Sequence, residues 1–155
     1  MKSMPITPSP ALIGALVRRP MEAVHLRIVR EAHQAGFSDL VPAHLAVLRY
    51  PGPNGRRPSE LAAEVGTTKQ AMNYLLGQLE QLGYIRRTDD LDDQRSRRVH
   101  FTERGEALQR VIRRTVTRIE KELEAELGAE SYTQLRTLLV RLNDTHTIKA
   151  ERNIP

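Results

Sequence analysis

Two glycines separate the helical stretches in the middle of the chain, and their spacing constrains the fold more than any other feature of the sequence. A short predicted helix over residues 60–65 ends at Gly66, and a longer one over residues 69–82 ends at Gly83. The side chains that can cap these helices are Ser59 for the first and Thr67 or Thr68 for the second. Two helices joined by a tight turn are therefore expected here.

A predicted β-hairpin follows these two helices directly. Residues 84–88 and 97–101 are runs of β-branched, aromatic and arginine residues, and the acidic, turn-rich segment 89–94 joins them. A winged helix-turn-helix has this order of elements: a short helix, a glycine turn, a longer helix and a hairpin. With four Tyr, two Phe and no Trp, the core has to be built from aliphatic side chains between helices, which favours a mainly α fold.

Long amphipathic helices flank this region on both sides. Apolar residues recur at helical spacing over residues 12–36, where Pro20 predicts a kink or restart near residues 18–19. A short helix is expected at 43–50, a long one between Thr102 and Gly128, and a leucine-rich one after that. The expected organisation is a single domain, 1–155, with a loose arm at 1–10, dimerisation helices at 11–36 and 103–155, and the winged helix-turn-helix at 37–102.

Composition excludes several classes of protein. The chain has 155 residues and no cysteine, which removes disulfides, thiolate nucleophiles and cysteine-based zinc sites. Its longest apolar run, residues 11–17, is far shorter than the ~20 residues that span a membrane, and no secretory cleavage site follows it, so a cytoplasmic location is expected. Because hydrolase, zinc-protease and phosphate-loop motifs are missing and the five histidines are scattered, we expect no enzyme, cofactor or metal.

The outer face of the longer predicted helix has the chemistry of a base-reading surface. Helical spacing places a row of leucines on one side of this helix and a polar, non-acidic set on the other. Gln and Asn can each pair bidentately with adenine, and Lys can reach guanine. An ordinary solvated face is the alternative. The candidate DNA-binding residues on and just before this helix are Thr67, Thr68, Lys69, Gln70, Asn73 and Tyr74.

Arginines concentrate in the predicted hairpin, although the net charge of +5 is spread along the whole chain. A narrow minor groove favours arginine because it focuses negative potential, so the hairpin predicts a wing that inserts there. We expect Asp93 to hold and aim Arg95 through a charge-assisted hydrogen bond. A metal site in the acidic run is the other interpretation, but the run lacks the glycine and terminal glutamate of a calcium loop. The candidate wing contacts are Arg86, Arg95 and Arg97.

Four segments together resemble the bacterial MarR-type transcription regulators. They are Leu40 to Leu48, Ser59-Glu60-Leu61-Ala62, Lys69-Gln70-Ala71 and Leu79 to Ile85. The segment from Asp92 to Gly105 is similar to the family's Asp-x-Arg wing followed by its Leu-Thr-x-x-Gly helix start. The resemblance covers about residues 10 to 145. Val41 departs from the family, which commonly has a Thr or Ser cap there, and this concerns only the local cap, worth ~1 kcal/mol.

The resemblance implies a homodimer whose first and last helices interlock and hold two winged motifs over successive major grooves of a pseudo-palindromic operator in double-stranded DNA. It implies a transcription regulator, usually a repressor, that a small aromatic or phenolic ligand can release from DNA. The lack of cysteine does not fit the thiol-dependent peroxide sensors of the family. A ligand-independent winged-helix dimer that coats DNA or docks protein is the alternative.

Two histidines are the ligand-binding candidates. His25 and His44 each interrupt an apolar stretch of a predicted helix, and a buried histidine needs a hydrogen-bond partner that an acidic ligand could supply. A partly exposed or internally satisfied histidine is the alternative for both. The sequence therefore predicts where a ligand could bind without showing a binding motif.

Overall fold

The computed structural model describes residues 12–48, 55–89 and 97–145. Within these ranges the chain is mainly helical with one antiparallel hairpin, which confirms the predicted fold class. The helices are α1 (Ile13–Gln34), α2 (Leu45–Leu48, preceded by a 3-10 turn over Pro42–His44), α3 (Pro58–Val65), α4 (Lys69–Gln81), α5 (Glu103–Leu127) and α6 (Ala129–Asn143); the strands are β1 (Ile85–Asp89) and β2 (Arg97–Phe101). The predicted arm at 1–10 lies outside the described residues.

The first helix is continuous through Pro20, so the predicted restart near Arg18 and Arg19 is wrong, while the predicted kink stays a prediction. Pro20 lies inside α1 and removes the N–H that would bond the carbonyl of Leu16. Residues 16–20 are all exposed, so water can solvate that carbonyl and the helix continues past the proline.

The starts of the 3-10 turn and of α3 use caps that the sequence pattern did not predict. Val41 has no side-chain cap to offer, and the ring of His44 instead accepts the Val41 N–H at 3.3 Å. The N-cap of α3 is Arg57, followed by Pro58 at the first helical position, and the Arg57 N–H donates to Glu60 at 3.1 Å. Ser59 is therefore not the cap, because a proline with a fixed φ can begin the helix one residue earlier.

The bounds of the two strands and of α4 lie close to those predicted. The hairpin pairs Ile85 with Phe101 and Asp89 with Arg97, so β1 is one residue later than the predicted strand 84–88. Tyr84 instead lies fully buried at the junction between α4 and β1. A further isolated bridge joins Arg56 to Val99 and ties the segment before α3 to the hairpin.

The core lies where α1 and α5 meet the three short helices and the hairpin. Its fully buried side chains include Ala32, Leu61, Met72, Leu76, Leu79, Val99 and Leu108. The α5 backbone approaches the α4–β1 junction so closely that a Cβ on Gly105 would lie 2.0 Å from the carbonyl oxygen of Tyr84. This contact fixes the start of α5 against the hairpin.

The terminal helices expose much of their apolar surface. No α6 residue is buried, and Leu138 and Val140 are 59% and 62% exposed. α6, the first half of α1 and the middle of α5 surround an open apolar groove of about 1040 Å³. No helix in the described ranges is long and apolar enough to cross a membrane.

Candidate nucleic-acid interface

The turn between α3 and α4 has the geometry that the glycine and threonine pattern predicts. Gly66 ends α3 in the left-handed region at φ +72°, where a side chain would be strained. Thr68 then caps α4, its hydroxyl oxygen accepting the Ala71 N–H at 3.1 Å. Thr67 is half-buried in this turn and Thr68 is exposed. The turn therefore leaves the first residues of α4 at the surface.

The two faces of α4 separate as predicted. Met72, Leu76 and Leu79 are fully buried against the core and fix the rotation of the helix. The opposite side is exposed at Lys69, Gln70, Asn73 and Tyr74, the polar residues predicted to read bases. In the described part of the chain, no side-chain hydrogen bond or ion pair engages Lys69, Gln70 or Asn73. Their donors and acceptors are available to a partner.

Tyr74 differs from its neighbours because it is tied back along the helix. Gln78 donates an amide hydrogen to the Tyr74 hydroxyl at 3.1 Å, while its carbonyl oxygen lies 3.4 Å from Nε2 of His44. Nδ1 of His44 accepts the Val41 N–H, so Nε2 carries the proton and donates to Gln78. Burial lowers the pKa of His44 below its usual value. A neutral His44 therefore links the cap before α2 to the exposed face of α4.

The described part of the wing presents two of the predicted arginines. Arg86 and Arg97 are exposed on β1 and β2, and Arg97 lies 3.9 Å from Asp89 across the hairpin. Arg87 is directed back towards α4, where it pairs with Glu80 at 3.2 Å. Arg95 and its predicted partner Asp93 lie outside the described residues.

A polar cluster beneath the α4–β1 junction was not predicted. Arg104 bonds Asp39 at 2.8 Å and the Leu82 carbonyl at 2.7 Å, and its guanidinium lies 4.5 Å from the centre of the Tyr84 ring. The Tyr84 hydroxyl also donates to Asp39. Burial and this hydrogen bond raise the pKa of Tyr84 to about 12. Partial burial opposes ionisation of Asp39, but the bonds from Tyr84 and Arg104 outweigh it and lower its pKa.

This cluster joins three elements that are remote in sequence. Asp39 comes from the loop after α1, Tyr84 from the turn between α4 and β1, and Arg104 from the start of α5. It therefore holds α4 and the wing at a fixed orientation to the long helix. In the sequence, only the Arg104-Gly105 pair could have indicated this cluster, because it lies in the segment that resembles the family's helix start.

Neither candidate ligand residue belongs to the described lining of the apolar groove. His25 is partly buried on α1, and His44 is 3% exposed with both ring nitrogens engaged. The groove is lined mainly by aliphatic residues of α1, α2, α5 and α6. In the described ranges no group of His, Asp or Glu is arranged to hold a metal ion.

Known proteins share this architecture. A model of the MarR family matches residues 38–96. Three crystal structures with the same fold are MarR (25% identity, TM-score 0.69, covering 86% of this chain and 96% of that one), S. aureus MepR in complex with DNA (20%, 0.72, 86% and 98%) and NadR in complex with 4-hydroxyphenylacetate (24%, 0.67, 90% and 97%). Residues 38–96 are therefore similar to the MarR family, and the chain shares the fold of these three structures.

Proposed function

We propose that the protein is a sequence-specific regulator of transcription that reads double-stranded DNA with α4. The observation that carries this proposal is the exposed face of α4, where Lys69, Gln70 and Asn73 have no side-chain partner in the described ranges. Their donors and acceptors match base edges in a major groove, which is wide enough for a helix. The fold is shared with MepR in its DNA complex.

The wing supplies the second contact in this proposal. Arg86 and Arg97 are exposed on the hairpin beside α4, and Arg95 and Asp93 belong to the segment between its strands. Arginine is suited to the minor groove, where the potential is most negative. The wing would then contribute affinity and position, while α4 contributes the choice of sequence.

The exposed apolar surface of the terminal helices supports a dimer. A monomer would leave Leu135, Leu138, Leu139 and the start of α1 exposed to water, and clustered apolar side chains of this kind mark interaction surfaces. A second copy covers it with the same surface in a two-fold arrangement. Helices within 11–36 and 103–155 would form the dimer, and the winged helix-turn-helix at 37–102 would read one half of a pseudo-palindromic site.

The test is selection of bound fragments from genomic DNA, followed by footprinting. We expect protection of a two-fold symmetric site whose half-site centres are about 10 base pairs, one helical turn, apart, overlapping a promoter as a repressor requires. Equal coating of random and genomic DNA would instead show an architectural protein. Absence of binding to any fragment would leave a protein-docking dimer.

The apolar groove supports the proposed response to a small aromatic or phenolic ligand. In the proposed dimer the second copy covers part of this groove of about 1040 Å³, and the remaining part would have to hold one aromatic ring. NadR, which shares the fold, has been crystallised with 4-hydroxyphenylacetate. A ligand releases DNA only if it binds the DNA-incompetent arrangement more tightly.

Operator titration with a panel of aromatic acids should show a weakened midpoint. His25→Ala and His44→Ala should blunt the effect if those residues bind the acid, and an unchanged midpoint with every acid contradicts the response.

A further inference from the structure

Tyr74 lies on the exposed face of α4, and a hydrogen bond from within the protein holds its side chain. The residue is 68% exposed, yet its hydroxyl oxygen lies 3.1 Å from the side-chain amide nitrogen of Gln78, one turn later on the same helix. Gln78 is half-buried and lies 3.4 Å from the ring of His44, which is 3% exposed. These three side chains, here called the relay, connect a buried histidine to the surface proposed to read DNA.

The direction of each hydrogen bond in the relay follows from its buried end. The Val41 N–H can only donate, so Nδ1 of His44 accepts it and the ring proton lies on Nε2. Because Nε2 then donates, the Gln78 atom that faces it is the carbonyl oxygen. The amide nitrogen of Gln78 consequently faces Tyr74. Since an amide nitrogen accepts no hydrogen bond, the Tyr74 hydroxyl oxygen is the acceptor.

The hydroxyl hydrogen of Tyr74 is therefore left for another partner. It cannot point at the amide nitrogen of Gln78, and in the described part of the chain no acceptor engages it. It is directed away from the relay, on the face that Tyr74 shares with Gln70 and Asn73 at helical spacing. The amide side chains of Gln70 and Asn73 can each present a donor or an acceptor, whereas the phenol presents a donor.

We propose that Tyr74 contacts DNA as a hydrogen-bond donor, and that His44 and Gln78 are the positioning residues that set this direction. The proposal rests on the DNA-reading function proposed above. A donor selects an acceptor on DNA, which is either a phosphate oxygen or a base acceptor such as guanine N7 or O6 or thymine O4. It does not pair with the amino groups of adenine or cytosine. The relay thus gives α4 one contact of fixed polarity.

A double-mutant cycle on the selected operator tests the direction of the bond. Tyr74→Phe removes only the hydroxyl and should weaken binding about five- to tenfold, because one hydrogen bond to DNA is lost. Gln78→Glu places a carboxylate in the relay, which accepts hydrogen bonds from both neighbours, so the Tyr74 hydrogen turns back towards the helix. In the Gln78→Glu background, Tyr74→Phe should therefore change affinity by less than about twofold.

Gln81→Glu is the matched control for charge. It adds the same carboxylate to an exposed position at the end of α4, outside the relay, so Tyr74→Phe should keep its full cost in that background. Ring ¹⁵N shifts of neutral His44 should also show the proton on Nε2. An equal cost of Tyr74→Phe in the unmodified and Gln78→Glu backgrounds, or a His44 proton on Nδ1, overturns the proposal.

Modified operators identify the acceptor. A phosphate contact predicts that the cost of Tyr74→Phe disappears when one phosphate is replaced by a methylphosphonate, and a base contact predicts the same for one base change. Survival of the cost on every modified operator overturns the proposal. If the unmodified chain binds its operator but Tyr74→Phe costs nothing, this inference fails and the proposed function stands. A chain that binds no DNA overturns both.

Discussion

Gly105 shows how a single backbone position fixes the wing against the long helix. A Cβ at this position would lie 2.0 Å from the Tyr84 carbonyl oxygen, and neither backbone can move without disturbing the core. We expect Gly105→Ala to lower the free energy of unfolding by about 1–3 kcal/mol, as overpacked cores do. Chemical denaturation measures it. Gly77→Ala is the control, since its Cβ would meet nothing within 4 Å and should be neutral or slightly stabilising.

His44 makes stability depend on pH. The folded protein lowers the pKa of His44 below its ordinary 6.5, because burial disfavours the cation. The neutral ring therefore contributes stability that is complete above pH 6.5 and is lost as the pH falls through the lowered, folded-state value. A protonated Nδ1 also could not accept the Val41 N–H. Denaturation at pH 7.5 and pH 5.5 should show this loss of stability.

The matched variant for this prediction is His44→Gln. Glutamine at the third helical position can still accept the N-cap N–H but does not titrate. We expect the variant to lose less stability than the unmodified chain over the same interval, while the other histidines affect both proteins equally. The same pH dependence in both proteins would contradict a role for His44.

At the scale of elements, α4 and the wing should contribute differently to DNA binding. Gln70→Ala and Asn73→Ala should relax preference at particular base pairs by about 1–3 kcal/mol. Arg95→Ala should weaken all sites alike and flatten the salt dependence by about one unit. Binding to a set of single-base operator variants at several salt concentrations distinguishes these patterns. Gln81→Ala, exposed at the far end of α4, should change neither.

The elements that sequence predicted best are those whose ends are set locally. Thr68 and Gly66 fix the start of α4 by interactions within a few residues, so its face could be assigned by counting. The His44–Gln78 bond and the Arg104 cluster could not be predicted, since their partners lie 20 to 65 residues apart in the chain. The role of Arg95 stays a prediction, because that residue lies outside the described ranges.

At the scale of the whole molecule, the exposed leucines of α6 predict a dimer that folding requires. Leu139→Glu or Leu135→Glu should place an unpaired charge in the interface and weaken folding and DNA binding together. Sedimentation should show a dimer for the unmodified chain and monomer or aggregate for these variants. Gln134→Glu, exposed on the same helix, should remain dimeric. A stable, folded monomer of the unmodified chain at micromolar concentration is incompatible with the proposal.

The unbroken course of α5 has a mechanical consequence. Its 25 residues form a rod of about 37 Å, anchored to the wing lobe at Gly105 and to α6 at the other end. In the proposed dimer such a rod acts as a lever. A tilt of about 5° at the α6 end displaces the other end by about 3 Å. A tilt this small leaves every helix folded. It would nevertheless move the two α4 helices out of register with consecutive turns of DNA.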